Sequence, residues 1–158
     1  MNYNTAQPHI ACYVVLRMGS KIAFVLRSNT DYMNGCYGLP SGKVEKNESF
    51  VQGAVREAKE EVGIEVKPSD LKQLITVHRF DNTSHINDWV DVYFEATKWK
   101  GKPYNAEPHL HSKLEWLDPV NLPENIVPAV LFTLSEIKKG KRYSEYGWGS
   151  KIDKKEKL

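Results

Sequence analysis

The sequence predicts an α/β sandwich: a mixed β-sheet with helices on both faces. Three observations predict it. An apolar, β-branched run at residues 10–16 is followed by a second at 22–27, with turn residues Met18, Gly19, Ser20 and Lys21 between them. One strongly periodic helix begins at Ser49. Strand-like runs then return, and a last helical segment closes the chain. Strands before and after a helix call for a sheet covered on both sides.

In chain order, the first two runs form a hairpin. Residues 28–46 are rich in Gly, Pro, Asn and Asp and read as one long loop, the kind of segment that carries function. Ser49 caps the next helix, with Gln52 completing a capping box, and Gly63 ends it. Residues 71–80 and 89–99 read as strands, with Asp81, Asn82, Thr83 and Ser84 as turn material between them. Residues 113–117 form a short strand, and 123–138 form the closing helix, with Gly140 beyond its end. This gives a domain over 1–140 and a C-terminal extension over 141–158. Tyr143, Tyr146 and Trp148 pack the first part of that extension, and its last eight residues form a solvated, flexible tail.

Composition narrows the function. The chain has 158 residues, enough for one domain with a sizeable core. Lys plus Arg is 22 and Asp plus Glu is 20, and the last eight residues hold four Lys against Asp153 and Glu156. The body is therefore neutral, which argues against a nucleic-acid polymer as partner. No apolar run approaches the roughly 18 residues of a membrane span, and residues 1–7 lack the order of a secretory signal. Cys12 and Cys36 cannot build a disulfide framework or a four-cysteine zinc site. Cys12 reads as a packed strand residue, and Cys36 has no base beside it in sequence. His78, His85, His109 and His111 show no metal-ligand spacing with other ligands. The expected setting is a reducing cytoplasm. A homodimer is compatible with the sequence but not specified by it.

The informative segment runs from Gly42 to Ile64. At about 100° per residue from Val51, the residues Ala54, Val55, Ala58 and Val62 fall within about 60° and form the buried stripe. Glu57, Glu60 and Glu61 fall on the far side at about 240°, 180° and 280°, with Gly53 beside them at about 200°. A Glu-rich helix face is ordinarily a solvated one, here with an Arg56–Glu60 ion pair. Yet like charges at these spacings cost about 0.2–0.5 kcal/mol per pair, and two of the three sit near the helix C-terminus, the unfavourable end for anions. A hard divalent cation reverses that sign.

The spacing decides between the two readings. Gly42, five residues, Glu48, seven residues, then Arg56-Glu57-Ala58-Lys59-Glu60-Glu61-Val62-Gly63-Ile64 matches the Nudix box, G-x5-E-x7-R-E-U-x-E-E-x-G-U with U apolar, at every specified position. Seven fixed residues at about one in fifteen each give a chance near 10⁻⁸ per start point. The sequence thus resembles the Nudix hydrolases, most closely their MutT-type members. The box covers 23 residues, and weaker resemblance extends over 10–138.

The resemblance implies a Nudix-type α/β/α sandwich. It also implies hydrolysis of a nucleoside diphosphate linked to a further group, with two or three Mg²⁺ or Mn²⁺ ions. It makes Glu57, Glu60 and Glu61 metal ligands and catalytic residues, and it gives Arg56 and Glu48 supporting roles. Ser41 offers a backbone carbonyl to a metal where many members have Gly, a departure that matters only if this position needs positive φ. A further carboxylate comes from Glu95, Glu107 or Glu115; Glu107 is favoured because it follows Trp99-Lys100-Gly101-Lys102-Pro103. Arg27 stands where MutT-type enzymes place a phosphate contact. Asn125, in Leu122-Pro123-Glu124-Asn125, stands where they place a base contact; otherwise it caps a helix. No proline lies between Pro68 and Pro103, unlike typical ADP-ribose hydrolases, and Arg79-Phe80-Asp81-Asn82 holds no tyrosine of the dinucleoside polyphosphate type. A nucleoside triphosphate is the expected substrate. ADP-ribose, another nucleotide sugar or dinucleotide, and a non-catalytic nucleotide sensor are the alternatives.

Overall fold

The computed structural model describes residues 5–82 and 87–149. Among them the chain forms eight strands and two α-helices: β1 (His9–Met18), β2 (Lys21–Arg27), β3 (Tyr37–Gly38), β4 (Ser41–Lys43), α1 (Phe50–Val62), β5 (Leu71–Phe80), β6 (Asp88–Ala96), β7 (His111–Leu117), α2 (Pro128–Lys138) and β8 (Tyr143–Tyr146). A 3₁₀ turn at Pro68–Asp70 leads into β5.

The strands make one mixed sheet with two limbs. In the first, β1 runs parallel to β6 from the pair His9 and Trp89 to the pair Leu16 and Ala96. Its other edge pairs antiparallel with β4. β5 then pairs antiparallel with β6, and β8 closes that side parallel to β5. In the second limb β2 carries β3 on one edge and β7 on the other. The limbs join at the hairpin mouth, where Arg17 faces Ile22 across a turn with Gly19 at φ 60°.

β1 and β6 are covered on both faces, so they read as nearly continuous apolar runs. Cys12, Val14 and Leu16, with Val92, Phe94 and Ala96, pack under Ala54, Ala58 and Val62 of α1. Val15 and Tyr93 point the other way, into a second core with Ile75, Val77 and Val130 of α2. This is the α/β/α sandwich that the sequence predicts.

Several boundaries differ from the expectation, each for a physical reason. The loop at 28–46 contains two short strands. β3 and β4 form because the edges of β2 and β1 recruit them, although their own residues carry no strand pattern. The closing helix starts at Pro128 rather than at 123. Glu124 and Asn125 form a turn instead and Ile126 bridges to Tyr37, with the Tyr37 N–H donating to the Asn125 carbonyl (2.7 Å) and the Val127 N–H to the Tyr37 carbonyl (2.9 Å). A residue before proline disfavours helix, and Val127 has φ −53° and ψ 121°. β6 stops at Ala96, and β7 begins at His111. β8 lies in the expected C-terminal extension, and the tail expected over 151–158 lies outside the described residues. Among the described residues no helix is long and apolar enough to cross a membrane.

Candidate active site

α1 is built as its sequence dictates. The Ser49 side chain accepts from the Gln52 N–H while the Gln52 side chain accepts from the Ser49 N–H, and Gly63 caps the far end at φ 70°. Its acidic face is only partly solvated, however: Glu60 is exposed, but its two neighbours on that face are not. Glu57 and Glu61 are 7% and 6% exposed, while Val51 and Val55 are only half-buried. The helical wheel marks the apolar arc; it does not show which segments fold over the opposite face. Two segments do so here.

The first is β4 with the loop behind it. The Ser41 N–H donates to Glu61 Oε2 (3.0 Å). Ser41 pairs with Tyr13 as a strand residue and is absent from the positive-φ positions, so serine fits where glycine is common. Gly42 lies against Glu57 so closely that a Cβ there would overlap the Glu57 carboxylate.

The second segment comes from beyond β6. The last carbonyls of a helix lack intrahelical partners. Here the Tyr104 N–H donates to the Val62 carbonyl (3.1 Å) and the Ala106 N–H to the Glu61 carbonyl (3.0 Å). These bonds fasten the loop to the end of α1. The next turn is closed by the His111 N–H donating to the Glu107 carbonyl (2.9 Å), and Asn105 Nδ2 donates to the His111 carbonyl (2.7 Å). Glu107 and His111 thereby reach Glu61. One ligating atom from each of the three lies within 4.8 Å of the others. Of the other carboxylates considered from sequence, Glu95 pairs with Arg17 (2.6 Å) and Glu115 with Lys113 (2.7 Å) and the Tyr37 hydroxyl (2.5 Å).

Arg56 braces the cluster. Its Nε donates to Glu48 Oε1 (2.8 Å), its Nη1 to Glu57 Oε1 (2.5 Å) and Glu60 Oε2 (2.9 Å), and its Nη2 to the Lys43 carbonyl (2.9 Å). One guanidinium thus fixes three carboxylates and the backbone of β4. Glu48 also accepts from the Glu45 N–H (2.9 Å), and its carboxyl is held below the ordinary range, chiefly by Arg56. Burial pushes Glu57 upward against the pull of Arg56. Glu61 is pushed well above the usual range, first by burial and then by Glu57.

No Lys or Arg lies within ion-pair distance of Glu61 or Glu107 among the described residues, and Glu61 has only His111 Nε2 at 3.8 Å. A buried carboxylate beside a half-buried one, with no Lys or Arg in ion-pair range, fits a hard divalent cation. His111 corrects the reading of the histidines: it joins Glu61 and Glu107 in a group that could hold a cation. The sequence signal was its four-residue spacing from Glu107, which becomes visible only once that loop is known to turn.

Beside the cluster lies a cleft of about 940 Å³. Tyr13, Tyr32 and Trp89 give it aromatic walls, and Ser41, Gly42 and Lys43 connect it to the box. Arg27 lines it too, with Nε donating to the Tyr32 carbonyl (2.8 Å) and the guanidinium 5.8 Å from the Tyr32 ring centre. Buried Arg79 also lines the cleft, held between Asp91 (2.5 Å) and Asp81 (3.0 Å) and 4.9 Å from the Trp89 ring centre. Asn125 is not among the residues that line the cleft. It caps no helix either: its Nδ2 donates to the Gly35 carbonyl (2.8 Å) and ties down the loop that carries Tyr32.

A model of the NUDIX domain matches residues 6–133 of the chain. The chain belongs to the Nudix hydrolase family. It is 32% identical over 94 residues to an 8-oxo-dGTP diphosphatase of Proteus vulgaris, a match that covers 60% of this chain and 80% of that protein. It is also 32% identical over 79 residues to an ADP-ribose pyrophosphatase of Methanocaldococcus jannaschii, covering 50% of this chain and 46% of that one. The crystal structure of a MutT Nudix hydrolase from Burkholderia pseudomallei superposes with a TM-score of 0.74 at 28% identity, covering 82% of this chain and 98% of the other. Within the Nudix family the chain is MutT-like, and its box is the segment that carries the carboxylate cluster.

Proposed function

We propose that this Nudix enzyme hydrolyses a nucleoside triphosphate, intact or oxidised, to the monophosphate and pyrophosphate. The observation that carries this reading is the continuity between cleft and cluster: Ser41 and Gly42 line the 940 Å³ cleft, and both touch the box glutamates. The volume suits a small-molecule ligand, and three aromatic rings suit a base. The resemblance to 8-oxo-dGTP diphosphatases points the same way.

Glu57, Glu60 and Glu61, with Glu107 and the Ser41 carbonyl, would hold two or three Mg²⁺ or Mn²⁺ ions. Such ions, when bound, neutralise phosphate charge and lower the pKa of a water. The chain's own residues do the positioning. Arg56 keeps Glu48, Glu57 and Glu60 in fixed orientations, so little reorganisation is left for the reaction. Arg27 offers a fork of donors that matches phosphate oxygens. One carboxylate of the cluster would take the proton of the attacking water.

ADP-ribose is the second reading, favoured by the likeness to the M. jannaschii protein. The experiment is release of phosphate and pyrophosphate over a nucleotide panel, with Mg²⁺ and with EDTA. It includes canonical and 8-oxo triphosphates, ADP-ribose, NADH and diadenosine polyphosphates. Mg²⁺-dependent pyrophosphate release from triphosphates is the expected result. Turnover of ADP-ribose alone would replace the first reading with the second. Calorimetric binding without turnover would leave a nucleotide sensor.

A further inference from the structure

We propose that His111 is an imidazole ligand of the cation site, beside Glu61 and Glu107, and that it tilts this site from Mg²⁺ toward first-row transition ions such as Mn²⁺ or Co²⁺. The inference rests on the reading that the box glutamates hold a divalent cation, and it adds a residue that lies outside the box.

Three observations carry it. First, one ring nitrogen of His111 and one carboxylate oxygen each of Glu61 and Glu107 lie within 4.8 Å of one another, close enough to converge on one ion. Second, the His111 side chain is 2% exposed, yet Nδ1 has no hydrogen-bond partner and Nε2 stands 3.8 Å from Glu61 Oε1, too far for a hydrogen bond. A buried ring nitrogen normally finds a partner; here Nδ1 has none, and the ring stands beside two carboxylates that could share a cation with it. Third, the backbone fixes the ring from both sides: the His111 N–H is held by the Glu107 carbonyl, the His111 carbonyl by Asn105, and the residue is paired with Arg27 in the sheet. The ring is therefore set in place by the fold.

The ion preference follows from donor chemistry. Mg²⁺ favours oxygen donors, whereas imidazole suits first-row transition ions, whose affinities at such sites rise from Mn²⁺ toward Co²⁺ and beyond. A site of two carboxylates and an imidazole discriminates against Mg²⁺ more strongly than one of carboxylates alone.

The test uses Mn²⁺ as the probe and the full-length protein without substrate. Pulsed electron paramagnetic resonance of bound Mn²⁺ should show modulation from a directly ligated ¹⁴N nucleus in the wild type, and none in His111→Gln. Calorimetry should show the Mn²⁺-over-Mg²⁺ affinity ratio falling about 10-fold or more in His111→Gln, since even outer partners of metal ligands are worth 10–100-fold. Bound Mn²⁺ without nitrogen modulation in the wild type would overturn the inference, and that spectrum decides even if the variant does not fold. The two readings also fail separately. If Glu61→Gln abolishes Mn²⁺ binding while His111→Gln leaves the ratio unchanged, the carboxylate site stands and the histidine ligand falls. If the wild type binds no Mn²⁺, both fall.

Discussion

Gly42 and Glu57 occupy adjoining space: the carboxylate of Glu57 fills the position that a Cβ on residue 42 would take. The pair explains why a glycine opens the box. Its backbone conformation is not at issue here, because Gly42 is absent from the positive-φ glycines. What the position needs is room for a carboxylate that is already held from the other side by Arg56.

Gly42→Ala should therefore damage the site more than the fold. The added methyl forces Glu57 away, an overpacking strain of about 1–3 kcal/mol. Mg²⁺ affinity and kcat should both fall about 10-fold or more, while circular dichroism stays that of the parent. Unchanged Mg²⁺ titration in the alanine variant would show that Glu57 does not need this position.

Arg56→Lys should behave as a loss rather than a conservative change. An ammonium cannot span Glu48, Glu57, Glu60 and the Lys43 carbonyl, which the guanidinium reaches through three nitrogens. The expected result is a drop in kcat of about 10-fold or more with KM changed little, read from steady-state kinetics on the best substrate of the panel.

A pH effect on stability is expected away from the site. Lys139, Lys141 and the Ser144 hydroxyl surround the Glu136 carboxylate and hold its pKa down to about 2, from the ordinary 4.5. A depressed carboxylate contributes stability that is present above its unfolded value and is lost as pH falls toward the folded one. Glu136→Gln should therefore lower the urea midpoint at pH 7, and the gap to wild type should close between about pH 4.5 and pH 2. Because Ser144 belongs to β8, the same variant should loosen that strand, seen as faster amide exchange at Ser144.

These outcomes rest on features that were unequally legible in the sequence. α1 was readable to its caps because capping and apolar period are local. β5 was readable to both ends as a run of strand formers between turn residues. β3 and β4 were not, because two- and three-residue strands owe their state to the edges that they join. The spacing of Glu57, Glu60 and Glu61 was legible, but the burial of Glu57 and Glu61 was not: it depends on β4, which lies against both, and on the 104–111 loop, whose amides seek the free carbonyls at the end of α1. That same loop makes a neighbour of His111, fifty residues from Glu61 in the chain.

The most direct test of the account is the metal dependence of wild type and Glu61→Gln, measured together as turnover and as melting temperature. In EDTA the glutamine variant should be as stable as wild type or more so, because it removes a buried carboxylate that neighbouring carboxylates oppose. Added Mg²⁺ should raise the melting temperature and the turnover of wild type alone, with kcat of the variant lower by about 100-fold or more, beyond the loss of an outer metal partner. Turnover that persists in EDTA, or a Glu61→Gln variant that keeps near-wild-type turnover at saturating Mg²⁺, would contradict it.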